Sequence, residues 1–87
     1  IEIYTGPFAE AFEKNDENTL ATYKEAIEYA NEINIEVNAG HDLNLKNLAT
    51  LLSYGDIKEV SIGHALISES LIYGIENTIQ KYTKIIQ

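Results

Sequence analysis

The 87-residue sequence predicts an α/β fold made of three consecutive βα units, a piece of a (β/α)8 TIM barrel. Short β-favouring segments alternate with helical stripes in the order β-α-β-α-β-α. The stretches between strands are long enough to be helical crossovers, which makes the sheet parallel. Each strand also runs out into a turn that carries a glycine. Parallel strands need cover on both faces, and three strands leave two unpaired edges, so further sheet is expected from elsewhere. Short helices and tight loops suit a barrel of about 250 residues. A flavodoxin-like half is the structural competitor.

Residues 1–5 (IEIYT) alternate and favour a strand. Gly6-Pro7 breaks it, and residues 8–14 predict a short helical turn. Over 18–34, Leu20, Tyr23, Ala26, Ile27, Ala30 and Ile33 recur at helical spacing and form one apolar stripe. Asp16 or Asn18 is a candidate cap for that helix. A second strand is expected over 35–38. A helix over 45–54 follows, marked by Leu45, Leu48, Leu51 and Leu52, with Asn44 as cap and Gly55 as stop. The third strand is expected over 59–62. Helices over 64–73 and 75–86 follow, separated by Gly74. Ile67, Leu71 and Ile72 share a face of the first, and Ile75, Ile79, Tyr82 and Ile86 form the stripe of the second. All of this is expected to belong to a single domain.

The net charge of −8 is unevenly spread: residues 1–44 hold 10 acids and 2 lysines, residues 45–87 hold 4 of each. Glu13, Asp16, Glu17, Glu25, Glu28 and Glu32 read as a solvated face. A negative chain without arginine argues against nucleic-acid binding and against attachment to an anionic membrane. No apolar run approaches the roughly 20 residues of a membrane-spanning helix. The absence of cysteine excludes disulfides and thiolate chemistry and fits a reducing compartment such as the cytoplasm. The absence of methionine and the opening on Ile1-Glu2-Ile3-Tyr4 suggest a truncated or processed chain.

In a barrel the chemistry lies at the carboxyl ends of the strands. The third strand ends Ser61-Ile62-Gly63-His64 and runs directly into a helix. Glycine lets a phosphate approach the backbone, and a helix start offers free N–H groups. The competing reading is a glycine that packs a helix on a sheet, with His64 as its cap. The second strand ends in Gly40-His41-Asp42. His41 there is either a general acid or base or a loop histidine bonded to Asp42. Glu2, flanked by two isoleucines, points opposite to them. It is either a carboxylate at the barrel mouth or an exposed terminal residue. Two histidines 23 residues apart form no metal motif, and no nucleotide-binding glycine pattern occurs.

Together, IEIYTGPFAEAF, VNAGHDLN and VSIGHALI resemble the pyridoxine 5′-phosphate synthase family of the deoxyxylulose-dependent vitamin B6 pathway, in order and spacing along the whole chain. The resemblance implies the C-terminal three βα units of a TIM barrel and a homo-oligomer, commonly an octamer. It also implies a transferase-type condensation of 1-deoxy-D-xylulose 5-phosphate with 3-amino-2-oxopropyl phosphate. That reaction closes a pyridine ring, releases phosphate and water, and needs no metal or organic cofactor. By the same resemblance His41 is a proton donor, Glu2 stabilises a transition state, and Gly63 and His64 bind the aminoketone phosphate. Asp42 stands where the family usually has a substrate-binding glycine. Its N–H is retained, but its carboxylate would repel a phosphate. The alternatives are another phosphate-binding barrel enzyme of isomerase or aldolase type, and a non-catalytic split-barrel subunit.

Overall fold

The computed structural model describes residues 1–87, with the side chain of His64 outside the described residues. The element order is β1 (Glu2–Tyr4), α1 (Gly6–Lys14), α2 (Glu17–Glu32), β2 (Asn38–Gly40), α3 (Leu48–Leu52), β3 (Glu59–Ser61), α4 (His64–Tyr73) and α5 (Ile75–Ile86). The three strands are parallel and lie in the order β1-β2-β3. Glu2, Ile3 and Tyr4 stand opposite Asn38, Ala39 and Gly40, which stand opposite Glu59, Val60 and Ser61. A flavodoxin-type sheet would set the first strand between the second and third. Here the second strand is central.

Local chemistry explains the boundaries, several of which differ from those expected. Pro7 lies in the first turn of α1, where its missing N–H costs nothing, so a full helix starts at Gly6 rather than a short turn at residue 8. Asp16 caps α2 by accepting from Thr19 N (3.3 Å) and Thr19 Oγ1 (2.7 Å). The second strand is Asn38–Gly40, not 35–38. Asn34 adopts a left-handed conformation, and Ile35 N–H bonds back to Ala30 O at 2.8 Å, so residues 33–36 terminate α2 and do not join the sheet. Helix α3 is shorter than 45–54. Asn44 Oδ1 accepts from Lys46 N and Asn47 N at 2.8 and 2.9 Å, which folds 44–47 into a side-chain-held turn. Gly55 lies beyond that helix's end, and a Cβ there would run into Asn31 and Ile27 of α2, so glycine is needed for close packing rather than as a stop. Gly74, at φ 86°, makes the corner between α4 and α5.

Strand alternation divides the sheet into two faces. Ile3, Ala39 and Val60 pack with Phe8, Ile27, Val37, Leu48, Leu51 and Tyr82 under the helices. Full burial of residues of this size contributes about 1.5–3 kcal/mol each. Tyr23 and Tyr54 meet Phe8 edge-on, with ring centroids 5.6 and 6.1 Å away. The opposite face carries Glu2, Tyr4, Glu59 and Ser61, all exposed. Helices thus cover one face, not both, and the chain is a slab of 39 × 27 × 17 Å.

The expected stripes are narrower than their periodicity implies. In α2 the acids are solvated, Ile27 and Ala30 are buried and Leu20 and Tyr23 half-buried, but Ala26 and Ile33 are exposed. In α5 the buried positions are Thr78 and Tyr82, while Ile75, Ile79 and Ile86 face outward. Ile67, Leu71 and Ile72 do share a face of α4, and it is exposed. Among the described residues, no helix is long and apolar enough to cross a membrane.

Candidate active site at the strand ends

Because the strands are parallel, Tyr4-Thr5, Gly40-His41 and Ser61-Ile62-Gly63 come to one edge of the sheet. Neighbouring strands lie about 4.8 Å apart, so the three ends span roughly 10 Å, the scale of a small phosphorylated metabolite. A cleft of about 900 Å³ lies over this edge. Its lining includes Tyr4, Glu10, Glu13, Asp42, Lys46 and Ser68, drawn from segments that follow all three strands. Lys14 donates to Glu10 Oε1 at 2.6 Å, and that hydrogen bond holds the Glu10 carboxyl below the usual carboxylate range.

His41 is exposed just beyond β2. Its φ of 110° and the 57° of Asp42 lie where side-chain-bearing residues are rare, and such conformations cost about 1–3 kcal/mol each. The imidazole lies beside the Tyr4 ring, with centroids 4.6 Å apart and planes tilted by 59°. None of the described hydrogen bonds joins His41 to the Asp42 carboxylate. Asp42 is exposed on the cleft wall.

The loop that carries these residues is anchored. Thr5 N donates to Gly40 O at 3.1 Å, Thr5 Oγ1 donates to His41 O at 2.6 Å, and Asn47 Nδ2 donates to Asp42 O at 3.2 Å. Thr5 and Asn47 are 0% and 1% exposed. Leu43, also buried, plugs the loop into the core. Leu45 N donates to Glu69 Oε2 of α4 at 3.4 Å.

Glu2 is exposed on the helix-free face, two residues before the end of β1. It therefore shares a face with Tyr4 but sits about 7 Å deeper, and it is not brought to the edge beside His41. Its neighbours across the sheet are Asn38 and then Glu59. The Asn38 Oδ1 atom is buried and accepts no hydrogen bond from the described residues. Strand-end reasoning overlooks Asn38 and Glu59, although alternation alone puts Glu59 on the side of Ser61. Thr5 and Asn47 are also overlooked, because nothing in their spacing reveals which carbonyls they reach.

Gly63 is exposed at the start of α4, and a Cβ there would meet no atom within 4 Å. The first N–H groups of a helix have no partner within it, so this end of α4 opens on free space. His64 is its first residue, but its predicted phosphate contact lies outside the described residues.

A one-sided parallel sheet with polar residues gathered on the loops beyond its carboxyl ends defines an α/β protein, and loops on such a scaffold are where binding and catalytic residues concentrate in general. The matching family model is more particular and covers residues 1–87: the chain belongs to the pyridoxal phosphate biosynthesis protein PdxJ family. It is 49% identical to pyridoxine 5′-phosphate synthase of Christiangramia forsetii, over 100% of this chain and 37% of that protein. For the enzymes of the same name from Bacteroides thetaiotaomicron and Leptospira biflexa, identity is 48% and 44%. Coverage is 94% and 99% of this chain and 35% and 34% of theirs. The chain thus spans about a third of the length of these curated relatives.

Proposed function

We propose that this chain forms three βα units of a (β/α)8 barrel with pyridoxine 5′-phosphate synthase activity. That barrel condenses 1-deoxy-D-xylulose 5-phosphate with 3-amino-2-oxopropyl phosphate into pyridoxine 5′-phosphate, phosphate and water, and works as a homo-oligomer. The observation that carries this reading is the family match along every residue of the chain. The sequential strand order and the helix-free polar face support the barrel part of it.

His41 is the proton-transfer group. It projects at the strand-end edge, and a positioned acid or base of this type typically contributes a factor of about 10²–10⁴. Glu2 stabilises a cationic, iminium-like stage from the polar face, where an oriented carboxylate acts on charge as it develops. Gly63 and His64 take a substrate phosphate at the start of α4. The open space at Gly63 admits an oxyanion to the backbone, and the helix end carries a partial positive charge of about +0.5. Glu10, Glu13 and Asp42 on the cleft wall outnumber Lys46, so these side chains do not attract an anion and the grip falls to backbone N–H groups. Asp42 contributes through its backbone while its carboxylate stays in solvent.

The test uses the full-length protein, both substrates and chromatographic identification of the product. His41→Asn is expected to lower turnover about 100-fold or more with an unchanged circular dichroism spectrum. Near wild-type turnover would overturn the assignment of His41. A product other than pyridoxine 5′-phosphate would move the protein to another phosphate-handling barrel activity.

A further inference from the structure

The carbonyls of Gly40, His41 and Asp42 are consecutive, and all three are taken by donors from two buried residues. Thr5 supplies both its N–H and its hydroxyl, at 3.1 and 2.6 Å, and Asn47 supplies its amide at 3.2 Å. Among the described residues, the clamped stretch contains two of the four non-glycine residues with positive φ: Asp42 at 57°, like Asn15 and Asn34, lies in the left-handed region, whereas His41 at 110° lies outside it and is the most unfavourable. Such a backbone persists only where the surroundings over-determine it. Asn47 is itself held, because its Oδ1 accepts from Asn44 N at 2.9 Å and its N–H donates to Asn44 Oδ1 at 2.9 Å. Fixing the carbonyls on both sides of a residue fixes its Cα–Cβ direction. Here that direction carries the imidazole to the exposed edge beside Tyr4.

We propose that Thr5 and Asn47 are positioning residues for His41: they clamp the 40–42 backbone in an otherwise disfavoured conformation and so hold the imidazole at the strand-end edge beside Tyr4, a residue of the cleft wall. Both act through the backbone they hold: Thr5 is fully buried, and Asn47, at the cleft wall, is 1% exposed. The proposal rests on the reading of His41 as the proton-transfer group. A relaxed 41–42 backbone would turn the imidazole away, and displacement of about 1 Å in a reacting group can cost roughly 100-fold.

In the full-length enzyme, Thr5→Val keeps the shape of the side chain and removes its donor. It is expected to lower kcat about 10–100-fold while KM for either substrate changes less than about twofold. Thr5→Ser restores the hydroxyl and is expected to recover kcat to within about threefold of wild type. In a His41→Asn background, Thr5→Val is expected to cost less than about twofold, because the group it aims is gone. Should Thr5→Val fail to fold, Asn47→Asp removes the other donor, keeps the acceptor for Asn44 N, and is expected to give the same split between kcat and KM. Wild-type kcat in a soluble Thr5→Val or Asn47→Asp enzyme, with only a lowered Tm, overturns the proposal. An equal cost in the His41→Asn background does so too. If His41→Asn itself turns over normally, the catalytic reading of His41 has failed. If His41→Asn is inactive and Thr5→Val is normal, only the clamp has failed.

Discussion

Tyr82 carries its hydroxyl into the seam between α5 and α4 and donates to Glu69, whose other carboxylate oxygen holds Leu45 N–H. Burial, the hydrogen bond to Glu69 and that residue's negative charge, in this order, push the Tyr82 hydroxyl far above its ordinary value of 10.0. The sign of the pH effect follows. Below about pH 10 the phenol is protonated in folded and unfolded chains alike, and its contribution to stability is complete. Above that, the unfolded chain ionises while the folded one does not, so stability falls as pH rises. Melting temperatures at pH 9 and pH 11 should therefore differ less in Tyr82→Phe than in wild type. The difference should shrink without vanishing, because burial also raises Tyr23 and Tyr54. At this scale the sequence reveals which residue types stand at the strand ends but not how they are held. His41 is legible as a histidine after a glycine, whereas its φ of 110° and the donors that sustain it arise from contacts 36 and 5 residues apart in the chain.

Among the elements, α3 is the shortest helix and carries two of the most completely buried side chains, Leu48 and Leu51, both 0% exposed. It also sits directly after the turn that fixes Asn47. Leu48→Ala is expected to destabilise the protein by about 2–5 kcal/mol, read as a lower midpoint in urea unfolding. Circular dichroism that showed no loss would mean that the core closes over the missing atoms. Helix α3 also marks the limit of periodicity as a guide. Its leucines identify a helix, but asparagine side chains at 44 and 47 compete for the backbone and shorten it to Leu48–Leu52. The same limit applies at β2. Ile35 looks like strand sequence, yet the end of α2 uses its N–H, and pairing begins at Asn38.

The whole molecule is a covered sheet with two free edges, β1 and β3, and an uncovered polar face. Ile67, Leu71 and Ile72 on α4 and Ile75, Ile79 and Ile86 on α5 are each at least 50% exposed, an apolar area that a self-sufficient small domain would bury. Residues 1–87 expressed alone are expected to show no turnover of the two phosphorylated substrates, and to associate through edges and apolar helix faces in light scattering. Measurable synthase activity from a monodisperse 87-residue chain would contradict this. Here the sequence reveals the alternation of strands and helices and the parallel sheet. One-sided cover is hidden from it, because three-residue strands are too short for alternation to separate a covered face from a bare one.

Those three strands read Glu-Ile-Tyr, Asn-Ala-Gly and Glu-Val-Ser. In each, the middle letter belongs to folding and the outer letters face the uncovered side. Selection for a different substrate could therefore act on the outer letters without disturbing what the middle ones hold together, and the two histories would be written in alternate positions of one short word. The central strand has the least room to diverge, since a Cβ on Gly40 would stand 3.3 Å from Ser61 Cβ. Chemical drift in such a sheet would start from its flanks.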